Sequence, residues 1–521
     1  MNRREFIYGA AVAAAAQARA QASIAKRLQR HALLPGHPQR RTLLLVDEYH
    51  ILYRSGTHRK LIPLRKFGQN PVLPARVKPW EVEIGWNSSY RDPDSGIYKL
   101  WYQAYSGKMA HERTKECVVC YAESTDGIHW NRPSLNLFSY NSVKDTNIVL
   151  IGNGGHSTNY GASVIVTPED PDKSRRYKMA YFDWSVSNGQ EYPGLSVAFS
   201  PDGVHWRKYP DAPLLRASYA YVGLGEPLPY RDESDRPWSV PLTISDAIYA
   251  FYDPKRRVYE IYSKMWIDGP DGGMYWKHVM GRTQSADFIH WSKPEIILAP
   301  DDFDPPWLEF HAPPVFYYND CYFALLQRLH RDVGGGVINV ELATSRDGIH
   351  WERPFRDDLF LTSSQGDKFD SGSILLDPTP IYLEKEFQFY YGGLSGGATG
   401  GDDYKMVSGV GLATMERDRF AGIEPIDHIG QITLKPLDLS GIANCSVNAD
   451  ASSGSVRVEV LGDDERRIRG FTRNDASPLQ GDQLALSPRW NGKTLADLQP
   501  GRYSLRLHLE NARVFAIDLH S

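Results

Sequence analysis

Ser124-Thr125-Asp126-Gly127-Ile128-His129-Trp130 is the stretch that decides the fold, because it recurs along the chain. It returns as Ser200-Pro201-Asp202-Gly203-Val204-His205-Trp206, as Ser285-Ala286-Asp287-Phe288-Ile289-His290-Trp291 and as Ser345-Arg346-Asp347-Gly348-Ile349-His350-Trp351. A decayed fifth copy, Thr414-Met415-Glu416-Arg417-Asp418-Arg419-Phe420, keeps an aromatic at the same offset. The last residues of the copies lie 76, 85, 60 and 69 positions apart, a spacing that marks a repeat architecture. The motif reads as a tight turn. Its aspartate bonds the backbone two residues on, and its glycine takes the positive φ of a hairpin. The aromatic then re-enters a strand and packs a large ring against the next sheet. In this register His129, His205, His290 and His350 are parts of the turn, not a metal or catalytic cluster.

Working outward, each copy follows a β-run such as Leu195–Phe199 or Val340–Thr344. Before that run comes a hairpin whose turn is rich in Asp and Pro, at Tyr90–Tyr98, Thr167–Lys173 and Tyr252–Tyr259. Each unit is therefore four antiparallel strands, and five units predict an all-β, five-bladed propeller over residues 80–429. From about Gly430 the pattern changes to Asn444–Ala449, Gly454–Leu461, Tyr503–Leu509 and Val514–Leu519, alternating with polar turns. That predicts a C-terminal β-sandwich over 430–521. Residues 23–79 read as an irregular segment with one apolar run, Leu43–Val46, that wraps or closes the propeller.

At 521 residues, a propeller with an appended domain accounts for the length. The net charge is -4, from 59 basic and 63 acidic residues, with no basic stripe, which argues against nucleic-acid binding and an anionic-membrane surface. Thirteen Trp and 30 Tyr suit pleated sheets and also the stacking of sugar rings. At the N-terminus, Arg3-Arg4 precedes an Ala-rich stretch from Gly9 to Ala16 and A-x-A cleavage sites at Ala18–Ala20 and Ala20–Ala22. Residues 1–22 resemble a twin-arginine export signal, which predicts a periplasmic or secreted protein. The apolar stretch is too short to span a membrane. Cys117 and Cys120 form a C-x-x-C within a predicted strand, where residues three apart face opposite ways, so all four cysteines read as structural thiols.

A five-fold S-x-D-G-x-x-W propeller followed by a β-sandwich resembles the five-bladed glycoside hydrolase superfamily, which includes families 32, 43, 68 and 130. Uncharacterised exported relatives of family 32 are the nearest likeness. The family-32 signature W-M-N-D-P-N-G is absent from the first blade, so the resemblance does not extend to cleavage of sucrose or fructan. Arg91-Asp92-Pro93 copies a triplet that is catalytic in some sucrose-cleaving propellers, but here it occupies a hairpin away from the central funnel.

Cleavage of a glycosidic bond needs one carboxyl as proton donor and another as nucleophile or as base for water. The resemblance implies that these enter on the innermost strands. Asp246, a lone acid leading into the apolar run Ile248–Phe251, is the first candidate, because a carboxylate there is costly unless paired or used. Glu309, between Trp307 and Phe310, and Asp370 complete the catalytic candidates. Glu81, His156, Asn159, Trp266, His311 and Arg331 are the substrate-binding candidates. Blade two offers no acid before its first strand. No cofactor is predicted, beyond a structural or funnel divalent cation that His156 and His311 would suit. The partner expected is a carbohydrate substrate. Two alternatives remain open at this point: a non-catalytic carbohydrate-binding propeller, and a phosphorylase of the family-130 type using Arg113 and Arg331.

Overall fold

The computed structural model of the chain describes residues 40–155, 160–217, 243–267, 276–356, 358–398 and 406–521. The expected leader at 1–22 lies outside them, as do His156 and Asn159.

Five antiparallel blades follow one another in sequence, the last two sharing one sheet. Blade one is Glu83–Arg91, Tyr98–Tyr105, Cys117–Ser124 and Ile148–Leu150. Blade two runs Tyr160–Val166, Tyr177–Ser187 and Gln190–Ser200, with the short outer pieces Arg207–Lys208 and Leu215–Arg216. Blade three is Ile248–Asp253, Val258–Ile267, Lys277–Ser285 and Glu295–Leu298. In blade four the inner strand is split into Leu308–Phe310 and Val315–Tyr318, followed by Cys321–His330, Val337–Ser345 and Trp351–Glu352. Blade five has a split inner strand, Ser373–Leu376 and Ile381–Tyr382, then Glu386–Leu394 and Ser408–Glu416. Its outer strand comes from the start of the chain: Lys66 pairs with Ala413, and Leu73 with Val410. The N-terminal segment thus supplies the last strand of the last blade, which ties the ring shut and leaves no blade edge short of a strand.

The inner strand of blade one contacts those of blades two and five, and the inner strand of blade three contacts those of blades two and four. Blades four and five are joined by a parallel pair, Ile338 with Ser373, and between blades one, two and three small polar side chains bond the backbone. Ser88 Oγ donates to Ala162 O and accepts from Val164 N, and Ser163 Oγ does the same with the carbonyl and amide of Ala250.

The repeat turns form as their sequence predicts. Asp126 Oδ1 accepts from the amides of Ile128 and His129, both at 2.8 Å, and Ser124 Oγ accepts from Gly127 N at 2.9 Å. Gly127, Gly203 and Gly348 take φ of 76°, 85° and 73°. Each motif histidine bonds its own motif aspartate, as in His129 Nδ1 with Asp126 Oδ2 at 2.7 Å, so its role is in the turn. The fifth copy departs from the pattern: its left-handed residue is Asp418, one place later than the glycine position.

The turn glycine carbonyl is also an inter-blade contact. Trp101 Nε1 donates to Gly203 O, Tyr262 OH to Gly348 O and Tyr390 OH to Gly127 O, each from the second strand of the preceding blade. At the matching place of blade two stands Ala180, which offers no donor, and the facing turn of blade three has Phe288 in place of glycine. Phe288 accepts a φ of 68°, costly for a bulky residue, and its ring is fully buried in a cluster with Ala180, Phe199, Tyr259 and Trp291.

Residues 40–74 are not irregular, contrary to the reading from sequence. Arg40–Leu44, Ile51–Ser55 and Thr57–Leu61 are strands of the second domain, and Arg65–Lys66 and Leu73–Pro74 belong to blade five. Every partner of these strands is hundreds of residues away, so no local hairpin pattern announces them. The first three join seven strands from Ala421–Pro425 to Arg513–His520 in a ten-stranded arrangement. Its 19-residue strand, Asn444–Gly462, pairs with Arg513–His520 along its first part and with Arg502–Glu510 along its second. Leu43, Ile432, Val458, Trp490, Leu507 and Ile517 fill the core between the layers. Leu44, Val46 and Ala516 face the other way, into the aromatic cluster of blades four and five around Phe316, Phe323 and Phe420. The bidentate Arg346–Asp47 ion pair locks the two domains at the same seam.

Candidate active site

Asp246 precedes the inner strand of blade three and is buried. Its Oδ1 lies 2.6 Å from Lys264 Nζ, on the second strand of the same blade. Burial alone would raise the Asp246 pKa, but the Lys264 ammonium outweighs it and holds the carboxyl below the ordinary range. Lys264 Nζ is also 3.5 Å from His311 Nε2, in blade four. Burial and that ammonium push His311 down to about 3, so its imidazole is neutral at physiological pH. Its Nδ1 meets Gln327 Oε1 at 3.1 Å, and Gln327 Nε2 donates to Tyr249 OH at 3.1 Å. With an ammonium facing its other nitrogen, His311 is poorly placed to hold a cation. Among the described residues no cluster of three potential metal ligands forms.

Glu309 lies on the first piece of the blade-four inner strand. Its Oε2 accepts from His278 N at 3.0 Å, contacts His278 Nδ1 at 2.7 Å and is bridged by the Arg331 guanidinium. The Trp266 ring lies 3.7 Å from the His278 ring, and the Arg331 guanidinium 5.2 Å from the Trp266 ring. His278 and His311 rings are 5.9 Å apart, joining the two ion pairs into one polar cluster.

Blade one reaches this cluster through Trp86. The ladder of its inner strand slips between Gly85 and Asn87, and Trp86 takes a φ of 39°. Such a bulge re-aims a side chain. Here it sets the Trp86 ring 5.7 Å from His311 and 5.9 Å from Tyr249, across the axis from its own blade. Three residues earlier, burial raises the Glu83 carboxyl to about 7, and nothing among the described residues hydrogen-bonds it. Blade two contributes Asp183 on its second strand, fully buried, with Oδ2 accepting from Asn153 N at 2.6 Å. Burial, with the Asp183 and Glu83 carboxyls adding to it, raises the Cys117 thiol well above its ordinary range.

Of the residues predicted from sequence, Asp246, Glu309, Trp266, His311 and Arg331 converge. His156 and Asn159 lie outside the described residues. Asp370 is elsewhere: its Oδ2 pairs with Lys66 Nζ at 2.6 Å and accepts from Tyr391 OH at 2.9 Å, anchoring the strand that closes the ring. Glu81 is fully buried with Tyr102 OH at 2.6 Å and Arg132 Nε at 2.8 Å on its Oε1. Asp92 caps its hairpin, accepting from the amides of Asp94 and Ser95. Lys264, His278, Gln327, Trp86 and Asp183 were missed. Lys264 leaves a sequence signal, a lysine within the apolar strand Val258–Ile267. His278 leaves one only once the register is known, since it is the cross-strand partner of Trp266.

No protein-family profile matches the chain, and no curated protein does. Among solved structures it is similar to a family-32 β-fructofuranosidase of Bombyx mori, at 10% identity and a TM-score of 0.40 over 87% of this chain and 94% of that one. It is similar to an N-acetylgalactosamine deacetylase of F. plautii in complex with blood group B trisaccharide, at 17% identity and 0.42 over 70% and 96%. A glycosyl hydrolase of Bacteroides ovatus shows 16% identity and 0.43 over 68% and 94%. The five-bladed architecture stands on the sheet order of the chain itself.

Proposed function

We propose that the chain is an exported glycoside hydrolase whose site lies where blades three and four meet the bulged strand of blade one. The observation that carries this reading is the joining of Asp246–Lys264 to Glu309–His278–Arg331 between the rings of Trp86 and Trp266. Carboxylates of different protonation beside aromatic rings are what cleavage of a glycosidic bond requires. Asp246, kept ionised by Lys264, acts as the nucleophile or as base for water. Glu83, three residues before the Trp86 bulge on the same strand and raised to about 7 by burial, is assigned the role of proton donor. Glu309 holds Arg331 and His278 against the sugar, and Trp266 and Trp86 flank its ring.

Hydrolysis is favoured over phosphorolysis on charge. Phosphate would need cations of its own, whereas Lys264 pairs with Asp246, Arg331 with Glu309 and Arg113 with Glu191 at 2.7 Å. The test is release of reducing sugar or aryl leaving group by the purified protein across a glycan panel, repeated on Asp246→Asn, Glu309→Gln and Glu83→Gln. Losses of about a thousandfold in Asp246→Asn and Glu83→Gln, with folding intact, support the assignment. Unchanged turnover in both overturns it, and glycan binding without turnover moves the reading to a carbohydrate-binding propeller.

A further inference from the structure

We propose that Trp307 and His330 form a second sugar subsite, a platform for a neutral pyranose ring one step outward from Glu309; it rests on the reading that this protein binds glycans. Trp307 sits two residues before Glu309, and His330 ends the blade-four strand that leads into Arg331. Their rings stack at 4.2 Å with only 19° between planes. One face of the indole is thus used by His330, yet Trp307 remains 38% exposed. An indole face left in water forgoes about 25 cal/mol for each Å² that a ligand would cover.

Trp307 and His330 line a pocket of about 330 Å³ together with Arg328, Val337, Asn339 and Leu359. That is the size and character of a small-molecule site, an apolar surface with a few polar groups. Its charges are already matched: Arg328 lies 3.4 Å from Glu341, and Arg356, also on the wall, makes a bidentate pair with Asp301 at 2.6 and 2.7 Å. Among the described residues that line it, both arginines are committed to carboxylates, which disfavours a phosphate or a uronic acid. Asn339 Oδ1 is taken by Ser363 N at 2.7 Å, which leaves the amide NH2 as a donor for a hydroxyl. An apolar face with neutral hydrogen-bonding at its edge suits a neutral sugar ring. Because Trp307 lies two residues before Glu309 and His330 directly before Arg331, a sugar on this platform is taken as a neighbouring unit of the same glycan and not as a separate ligand.

The experiment compares wild type, Trp307→Ala and Trp307→Phe, titrated by calorimetry with linear gluco-, manno-, xylo- and arabino-oligosaccharides of increasing length. Turnover of an aryl monoglycoside, too short to reach the platform, is measured alongside. Trp307→Ala is expected to weaken the longer ligands by about fivefold to tenfold, to leave the aryl glycoside unchanged and to keep the melting temperature, with Trp307→Phe recovering most of the affinity. Equal weakening of short and long ligands, or none of the long ones, overturns the platform. Long-ligand binding that depends on Trp307, in a protein that cleaves nothing, keeps the platform and sinks hydrolysis. A wild-type protein that binds no oligosaccharide sinks both.

Discussion

Lys264 Nζ stands 2.6 Å from Asp246 Oδ1, and both side chains are withdrawn from solvent. Asp246 stands just before the inner strand of blade three and Lys264 on the second, so the pair is set by the hairpin register, Ile248 opposite Ser263, and not by sequence proximity. A buried pair of this kind contributes little net stability, because desolvation of two charges offsets their attraction. Its presence at the inner end of a blade therefore points to chemistry more than to folding.

That distinction gives a measurable contrast. Asp246→Asn leaves the Lys264 ammonium buried and unmatched, which is expected to cost about 3–5 kcal/mol of stability. The double variant Asp246→Leu with Lys264→Met removes both charges and is expected to recover most of that loss in a urea titration while activity stays abolished. Activity returning with stability would mean that the pair is only structural.

The pH dependence follows from two groups with opposite signs. His311 is lowered to about 3, so between pH 6.5 and 3 the unfolded chain binds a proton that the folded one refuses. Its contribution is thus present above pH 6.5 and is lost as pH falls toward 3. Glu83 is raised to about 7, so its contribution is present below the ordinary glutamate pKa and is lost as pH rises through 7. His311→Gln is expected to flatten the acid side of a plot of melting temperature against pH, and Glu83→Gln the side near 7. If Glu83 is the proton donor, kcat/KM falls above pH 7 in wild type. A basic limb surviving in Glu83→Gln removes Glu83 from that role.

How much of this was legible in the sequence depended on whether the partner was local. The repeat turn was fully legible, since Ser124, Asp126 and Gly127 bond one another within three residues. Asp246 and Glu309 were found because an acid beside an apolar strand is unusual in itself. Asp370 carries the same signal, yet its partner is Lys66 on the closing strand, about three hundred residues away, and nothing local separates the two cases. Trp86 was missed for a related reason: it reads as one aromatic among many in a strand, and only the bulge turns it across the axis.

Asp370 yields a prediction of its own. With Lys66 Nζ at 2.6 Å it secures the strand that closes the ring, so Asp370→Asn is expected to lower stability by about 2–4 kcal/mol. The effect should be matched by Lys66→Met and should not double when the two are combined. Additive losses in a double-mutant cycle would show that the two side chains act independently.

Ala180 and Phe288 test whether the blade contacts are interchangeable. In three blade pairs an aromatic N–H or O–H reaches the turn glycine carbonyl of the next blade. Between blades two and three the large ring has moved to the other side, with Ala180 on the strand and Phe288 in the turn. Phe288→Gly relieves a left-handed phenylalanine but empties a ring-sized space, and cavity formation is the larger effect at about 3–5 kcal/mol. Adding Ala180→Tyr to Phe288→Gly rebuilds the arrangement of the other blades, with the tyrosine ring filling the space and its hydroxyl aimed at the turn carbonyl. The double variant is expected to regain at least half of the loss in urea midpoint. Ala180→Tyr alone, with Phe288 still in place, overpacks the same volume and is expected to destabilise. A double variant no more stable than Phe288→Gly would mean that the space is shaped by its backbone and not by the ring that fills it.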